Sequence, residues 1–389
     1  MTAHRTTSDV FIVDGLRTPI GSSHKSLKDF SAADLAASVL KEFIHRYPSV
    51  CQHVDGVFLG NTVSAGTGQN VARQAIIFSG LSPRVPGTVV NSVCGSGLES
   101  IILGCRTMLC NEAQIICAGG TESATHSPKI LVADNQEPIE SLICDGLWCA
   151  MSGKHMGHIA ENLALQYQIS AEAQNQFAYE SHVKAVNAQR EGKFKEEIVV
   201  VPKKDGSLVD KDDRPRHNIS LDRMEKLPAA FQSDGTVTAG NASAPGDAAA
   251  LTLLISGQGL KKYPELKPKA RILSYATVGI EPHQCFEAGV LAVRDCLSVA
   301  GVSLSDVDLF EIGESFAAQA VWTKEQLGLS KEKVNIYGGD IALGHPLGST
   351  SARLLVTLMH ALGREKKRYG LAVMCFGSGG ATSMLIERL

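Results

Sequence analysis

Residues 88–109, TVVNSVCGSGLESIILGCRTML, contain the stretch that decides the fold. A β-branched run leads into a Gly-rich turn around Cys94, and apolar residues then recur at positions 98, 101, 102, 105, 108 and 109. This pattern predicts a buried strand, a tight turn and a packed helix. Because a further apolar run, QIICAGG at 114–120, follows directly, the segment predicts a βαβ unit.

The same order of parts returns near the other end of the chain. There YGGDIAL leads to the turn Gly344-His345-Pro346-Leu347-Gly348, and apolar residues recur at 354, 355, 358, 359 and 362 before LAVMCFGSGG at 371–380. Two distant segments with one order of parts predict a duplicated half. The runs VFIV (10–13) and VFLG (57–60) extend the first half, and Ser31 with Asp34 predicts a capping box at the start of a helix over 31–46.

The domain boundaries follow from a change in composition. Residues 1–120 form the predicted N-terminal half and 266–389 the second half. The segment 121–248 between them is richer in charge, His, Gln and Met, which predicts an inserted cover over the site. The run AALTLLIS at 249–256 has a buried-strand pattern, so 249–265 is expected to complete the first half.

Length and composition limit the class of protein. A length of 389 residues predicts two similar domains or one domain with a large insertion. Of these residues 44% are apolar and 20% charged, as in compact α/β proteins. A formal net charge of −3 gives no general attraction to nucleic acid or to an anionic membrane. No apolar run approaches the roughly 18 to 20 residues that span a bilayer. Without a signal-peptide pattern at the N-terminus, and with ten cysteines that form no CxxC pair, we expect a cytoplasmic protein with reduced thiols.

Cys94 is the first candidate for chemistry. A thiol attacks as thiolate, and a helix N-terminus or a nearby imidazole lowers its pKa. We expect Gly95 and Gly97 to supply φ angles closed to other residues, so that the sulfur and its backbone N–H lie at the helix end. A buried structural cysteine gives the same isolated pattern, so Cys94 alone leaves both interpretations open.

His345 and Cys375 favour the functional interpretation. The His345 turn occupies the place in the second half that Cys94 occupies in the first, so the two can face each other, and imidazole beside a thiol generates a thiolate. Cys375 precedes Gly377-Ser378-Gly379-Gly380. A second thiol there can move protons, and the following N–H groups can hold an oxyanion.

These motifs resemble those of the thiolase family along nearly the whole chain. They are Arg17 to Gly21 (RTPIG), Asn91 to Gly97 (NSVCGSG), Gly119 to Ser123 (GGTES), His155 to Gly157 (HMG), Gly235 to Ser243 (GTVTAGNAS) and Gly338 to Gly348 (GGDIALGHPLG). The resemblance implies duplicated βαβαβαββ halves packed as an α/β/α/β/α sandwich with an inserted loop domain. It also implies coenzyme A thioesters as substrates, no permanently bound cofactor, no metal, and a homodimer or homotetramer.

The resemblance further implies a reaction, which is reversible condensation of two acetyl-CoA to acetoacetyl-CoA and CoA, or thiolysis of a 3-ketoacyl-CoA. Cys94 would be the nucleophile, and Cys375 would be the general acid/base. His345 would activate Cys94 and would also help to hold the enolate oxygen. The N–H groups of Cys94 and Gly377 would form an oxyanion hole. The residues implied to contact CoA or the acyl group are Leu147, His155, Met156, Arg216, Phe231, Ala239, Ser243 and Phe316.

Two departures from the family pattern bear on substrate and rate. Gly313 stands where the family has an Asn that positions a water in the oxyanion hole for the enolate, so we expect this second oxyanion hole to be weakened or rebuilt. Gly313→Asn would raise condensation if the missing amide is a simple defect. Residues 282–292 differ from the family stretch near the acyl pocket. There are two alternatives. One is a degradative thiolase that accepts longer acyl chains, which the pocket width around Cys94 and Cys285 would distinguish. The other is an acyl-CoA-binding protein with impaired condensation.

Overall fold

The computed structural model describes residues 2–131 and 137–389, and it describes side chains from residue 9 onward. The strands are β1 (Thr2–Arg17), β2 (Gly21–Ser22), β3 (Gly56–Gly60), β4 (Gly87–Val90), β5 (Ile115–Ser123), β6 (Lys129–Ile130), β7 (Ile139–Glu140), β8 (Trp148–Cys149), β9 (Lys154–His155), β10 (Val201–Pro202), β11 (Leu208–Val209), β12 (Gly246–Ser256), β13 (Ala270–Gly279), β14 (Leu309–Ile312), β15 (Tyr369–Phe376) and β16 (Gly380–Arg388).

The α-helices are α1 (Ala32–Arg46), α2 (Pro48–Cys51), α3 (Val71–Ser79), α4 (Ser96–Leu109), α5 (Met156–Gln166), α6 (Ala171–Arg190), α7 (Leu221–Met224), α8 (Gly257–Leu260), α9 (Ala288–Ala300), α10 (Ala317–Gln326), α11 (Asp340–Leu343) and α12 (Leu347–Arg364). A 3-10 helix, Pro282–Glu287, precedes α9. The predicted capping box is confirmed, since the Ser31 side chain accepts from the N–H of Asp34 and the Asp34 carboxylate accepts from the N–H of Ser31.

Strand order confirms the duplication. In the first half the strands lie in the order β4-β3-β5-β12-β1, and in the second half the order β14-β15-β16-β13 repeats that of β3, β5, β12 and β1. The counterpart of β4 is reduced to a single parallel bridge between Phe310 and Val334. The first strands of the two halves, β1 and β13, pair antiparallel with each other.

Alternating side chains place helices on both faces of each half. In β5, Ala118 packs in the cluster that contains α4 and α12, and Cys117 packs in the cluster that contains α1 and α3. In β15, Met374 joins the α4 and α12 cluster, and Val373 packs with α9. Because α4 and α12 contact strands of both halves, they form the middle of five layers. The predicted α/β/α/β/α order is confirmed.

The described part of the segment between β5 and β12 contains α5, α6 and α7, and pairs of two-residue strands, β6 with β7, β8 with β9 and β10 with β11. After it, β12 pairs with β5 and β1. The domain boundaries at 120, 248 and 265 stay a prediction. Within residues 2–131 and 137–389, no helix has the length and apolar character needed to cross a membrane.

Candidate active site

The turn between β4 and α4 holds Cys94 at 8% exposure. The left-handed residue in this turn is Val93, with φ of 50°, a costly conformation for a β-branched side chain. Gly95 has an ordinary φ of −79°, so the expectation that Gly95 and Gly97 supply special φ angles was wrong.

The two glycines are required for close approach instead. A Cβ on Gly95 would lie 2.6 Å from the Phe376 ring, and one on Gly97 would lie 2.8 Å from the backbone nitrogen of Ala352. Phe376 and Ala352 belong to the second half. The glycines therefore let the turn and the start of α4 pack directly against β15 and α12.

His345 lies beside the thiol, with its Nε2 3.2 Å from the Sγ of Cys94. Its other ring nitrogen, Nδ1, lies 2.7 Å from the Oγ1 of Thr350. The Thr350 hydroxyl donates its own hydrogen to the carbonyl of Pro346, at 2.9 Å. Since a hydroxyl has one hydrogen, Nδ1–H must be the donor to Thr350, which leaves Nε2 free to accept the proton of the thiol.

Burial keeps this pair neutral at rest. It raises the pKa of Cys94 to about 12 although the N–H of Gly377 lowers it, and it lowers the pKa of His345 below its ordinary value. The expectation that the pKa of the thiol is depressed was wrong for this state, because desolvation of the thiolate outweighs the hydrogen bonds from the N–H groups of Gly377 and Cys94. The arrangement therefore makes thiolate only when the proton moves to Nε2.

Two backbone donors meet at the sulfur. The N–H of Gly377 and the N–H of Cys94 itself both hydrogen-bond to Sγ. Gly377 precedes a tight turn in which Ser378 and Gly379 have φ of 72° and 89°, and a Cβ on Gly379 would lie 2.4 Å from the carbonyl of Ile280. N–H groups fixed in this way can stabilise negative charge that develops on a thioester oxygen at Cys94.

Cys375 is the second thiol of the site, and it is 4% exposed. Its Sγ lies 3.5 Å from the carbonyl oxygen of Phe286 and accepts from the N–H of Gly289 at the start of α9. A Cβ on Gly289 would lie 2.9 Å from that sulfur, so the glycine makes room for the thiol. Burial raises the pKa of Cys375 to about 12.

A pocket of about 280 Å³ joins these groups. Ten of the residues singled out in the sequence line it, namely Cys94, Leu147, His155, Met156, Phe231, Ser243, Phe316, His345, Cys375 and Gly377. Arg216 and Ala239 do not line it, and both are exposed. The backbone N–H of Arg216 instead binds Nδ1 of His182 at 3.2 Å.

Five further residues line the pocket that were not singled out individually in the sequence, although Phe286 lies in the stretch 282–292; they are Gly146, Ala242, Pro245, Phe286 and Ser315. Ala242 neighbours a predicted contact in sequence, which was the available signal. Cys285, expected to mark the pocket width, is absent from the lining, and Phe286 takes its place.

Aromatic rings form one wall of the pocket. The rings of His155 and Phe231 stack at 4.9 Å between centroids. Phe231 meets Phe316 edge-to-face at 6.0 Å, and Phe316 meets Phe286 at 5.6 Å. Such pairs fix ring positions more firmly than area burial alone. The wall therefore limits the pocket with rigid side chains.

Gly313 directly follows β14 and does not line the pocket. A Cβ at this position would lie 2.2 Å from the Sδ of Met374, a core side chain that is 1% exposed. Ser315, two residues further on, does line the pocket. Among the described residues, the Ser315 hydroxyl has no hydrogen-bond partner, while its carbonyl accepts from the N–H and hydroxyl of Ser243 at 3.0 and 2.9 Å.

Comparisons with known proteins agree with this geometry. The family profile described as Thiolase, N-terminal domain, matches residues 10–258, and the profile described as Thiolase, C-terminal domain, matches residues 266–388. An acetyl-CoA acetyltransferase of Escherichia coli strain K12 is 43% identical over 389 residues, which cover 97% of this chain and 98% of that relative.

Solved structures are similar over almost the full length. The crystal structure of the Bacillus anthracis acetyl-CoA acetyltransferase has a TM-score of 0.95 at 33% identity and covers 99% of this chain and 100% of its own. The human mitochondrial 3-ketoacyl-CoA thiolase in complex with CoA has a TM-score of 0.94 at 33% identity, with 99% of both chains covered.

Proposed function

The chain belongs to the thiolase family and is an acyltransferase, and from this premise we propose that it joins two acetyl-CoA into acetoacetyl-CoA and CoA, reversibly, through an acyl-enzyme at Cys94. The observation that carries the proposal is the 3.2 Å contact between Cys94 Sγ and His345 Nε2, in one pocket with Cys375 and Gly377. The relatives named acetyl-CoA acetyltransferase support the same reaction.

The first half-reaction is transfer of acetyl to the enzyme. As Cys94 Sγ attacks the thioester carbonyl, its proton passes to His345 Nε2, and the N–H groups of Cys94 and Gly377 receive the negative charge on the carbonyl oxygen. When the tetrahedral intermediate collapses, the bond to the CoA sulfur breaks, the CoA thiolate takes the proton of Cys375, and His345 keeps the proton of Cys94 on Nε2. The products are acetyl-Cys94 and free CoA.

The second half-reaction makes the carbon–carbon bond. Cys375, as thiolate, takes a proton from the methyl group of a second acetyl-CoA, and His345 Nε2–H binds the enolate oxygen. The enolate carbon attacks the acetyl carbon, the bond to Cys94 breaks, Cys94 Sγ takes back the proton from His345 Nε2, and acetoacetyl-CoA leaves. In thiolysis the same steps run backwards, with Cys375 protonating the enolate and CoA taking acetyl from Cys94.

The pocket favours short acyl groups over the longer chains of a degradative thiolase. Its volume of about 280 Å³ is below the usual range of roughly 300 to 1,000 Å³ for small-molecule sites. Phe286, whose carbonyl contacts Cys375, and its edge-to-face partner Phe316 are 2% and 7% exposed. Two packed rings beside the reacting thiols leave little room for a longer chain.

The test is thiolysis of acetoacetyl-CoA beside a series of longer 3-ketoacyl-CoA substrates. We expect acetoacetyl-CoA to be cleaved to two acetyl-CoA and the rate to fall as the chain lengthens. Iodoacetamide should inactivate the protein by alkylating Cys94, with acetyl-CoA protecting it. Faster cleavage of long chains would favour the degradative alternative, and labelling confined to other thiols would refute Cys94 as the nucleophile.

A further inference from the structure

Glu122 is a buried carboxylate near the end of β5, only 1% exposed, and it lies between the two halves. Its Oε1 accepts from Nδ2 of Asn61 at 2.9 Å and from the N–H of Val63 at 3.3 Å. Its Oε2 accepts from the N–H of Thr62 at 3.1 Å and from the N–H of Gly348 at 2.8 Å. One side chain therefore joins a loop of the first half to a helix of the second.

The loop is tied to the Cys94 turn. The hydroxyl of Thr62 donates to the carbonyl of Val93 at 2.9 Å, and Nδ2 of Asn91 donates to the carbonyl of Thr62 at 3.1 Å. Val93 is the strained residue directly before the nucleophile. A displacement of the loop therefore shifts the backbone that sets the position of Cys94.

The helix is the one that fixes His345. Gly348 is the second residue of α12, and Pro346 at its N-cap makes no side-chain cap. Free N–H groups and the helix dipole favour a negative group at this end, which Glu122 supplies from the other half. A Cβ on Gly348 would lie 3.0 Å from Oε2 of Glu122, so the glycine permits the contact. Thr350, in the same first turn, holds the His345 ring.

We propose that Glu122 is a positioning residue that sets the separation of Cys94 Sγ and His345 Nε2 by anchoring the Asn61–Val63 loop and the start of α12 to one carboxylate. The inference rests on the roles proposed above for Cys94 and His345. Glu122 hydrogen-bonds to neither side chain, so it acts through the two backbone segments. Burial raises the pKa of Glu122 to about 7, and the N–H groups of Gly348, Thr62 and Val63 oppose that rise.

The first experiment is Glu122→Gln, which keeps the shape but replaces one acceptor oxygen with an amide that faces N–H donors. Displacing reacting groups by about 1 Å costs on the order of 100-fold in rate, so we expect alkylation of Cys94 by iodoacetamide, followed by mass spectrometry, to slow about 10- to 100-fold. The matched control is Glu161→Gln, a carboxylate that is 2% exposed and accepts from the N–H groups of Thr236 and Val237, both at 2.9 Å. It should leave the alkylation rate near that of the unaltered protein.

A double-mutant cycle separates positioning from general stability. If Glu122 acts through the Cys94–His345 pair, Glu122→Gln should slow alkylation no further when His345 is already Asn. An unchanged rate in the single variant, or losses that multiply in the double variant, would overturn the positioning role. A normal rate in His345→Asn alone would instead refute the proposed role of His345.

Thr62→Val provides the same test with the Glu122 carboxylate left in place. It removes the hydroxyl that donates to Val93 and keeps the side-chain shape. We expect a slower alkylation of Cys94 that likewise disappears in the His345→Asn background. Should Glu122→Gln fail to fold, normal Cys94 reactivity in Thr62→Val would overturn the inference.

Discussion

Burial shifts the two thiols of the pocket in the same direction, but their partners differ. Burial raises the pKa of both Cys94 and Cys375 to about 12. Cys94 has the Nε2 of His345 at 3.2 Å, whereas Cys375 contacts the carbonyl of Phe286 at 3.5 Å and, among the described residues, no side-chain base. A carbonyl accepts a hydrogen bond but takes no proton.

The presence of a base beside only one thiol shows which proton acceptor the protein provides and which one the substrate must provide. At Cys94 the base is already in place, so thiolate forms as attack begins. At Cys375 the proton remains on the sulfur until a substrate atom exchanges it. In the same half of the site, Gly313 supplies no amide and Ser315 presents a hydroxyl without a partner among the described residues. In the proposed mechanism, therefore, the protein alone supplies the groups for transfer of acetyl to Cys94, and the substrate completes the groups that form the enolate.

The largest expected effect comes from Cys375→Ala, which removes only the second thiol. Loss of a general acid/base typically costs about 100- to 10,000-fold, so synthesis of acetoacetyl-CoA should fall by that factor. Exchange of labelled CoA into acetyl-CoA takes place at Cys94, and in Cys375→Ala the Nε2–H of His345 can protonate the leaving CoA, so the exchange should persist. Cys105→Ala, a buried thiol of α4 outside the pocket, is the control, and equal loss of both reactions in Cys375→Ala would contradict the division of the site.

His345→Asn removes the feature that distinguishes the two thiols. Because burial lowers the pKa of His345 below its ordinary value, the imidazole is neutral above about pH 6.5, and alkylation of Cys94 should be nearly independent of pH from there to about pH 9. Without the imidazole the rate should fall about 100-fold near neutrality. It should then rise about tenfold per pH unit, following the small thiolate fraction of a thiol with a pKa of about 12.

The measurement is the rate of iodoacetamide labelling of Cys94 between pH 6 and 9 in both proteins. His360→Asn is a suitable control, since this buried histidine of α12 binds the carbonyl of Gly15 at 2.9 Å, away from the pocket. Parallel pH profiles for His345→Asn and the unaltered protein would mean that His345 is not the base for Cys94.

The sequence predicts features that depend on local or repeated patterns. The capping box at Ser31 requires only neighbouring residues, and the meeting of Cys94 with His345 follows from their matching places in two similar halves. The role of Gly95 was missed because the atom it must avoid belongs to Phe376, far away in sequence. Likewise, the 3-10 helix before α9 turns Phe286 rather than Cys285 into the pocket, and only packing decides between adjacent residues.

The smallest expected effect concerns Gly313, where the sequence suggested that Gly313→Asn raises condensation. The structure changes that expectation, because the new Cβ would lie 2.2 Å from Sδ of Met374 in the core. Overpacking of this kind costs about 1–3 kcal/mol, so we expect Gly313→Asn to unfold at lower urea concentration and to gain no condensation activity. Adding Met374→Ala should cost less than the sum of the two single changes, since the Asn fills part of the space that Met374 vacates. A single variant with unchanged stability and faster acetoacetyl-CoA synthesis would mean that Met374 yields freely, and that the enolate half of the site lacks nothing but the amide.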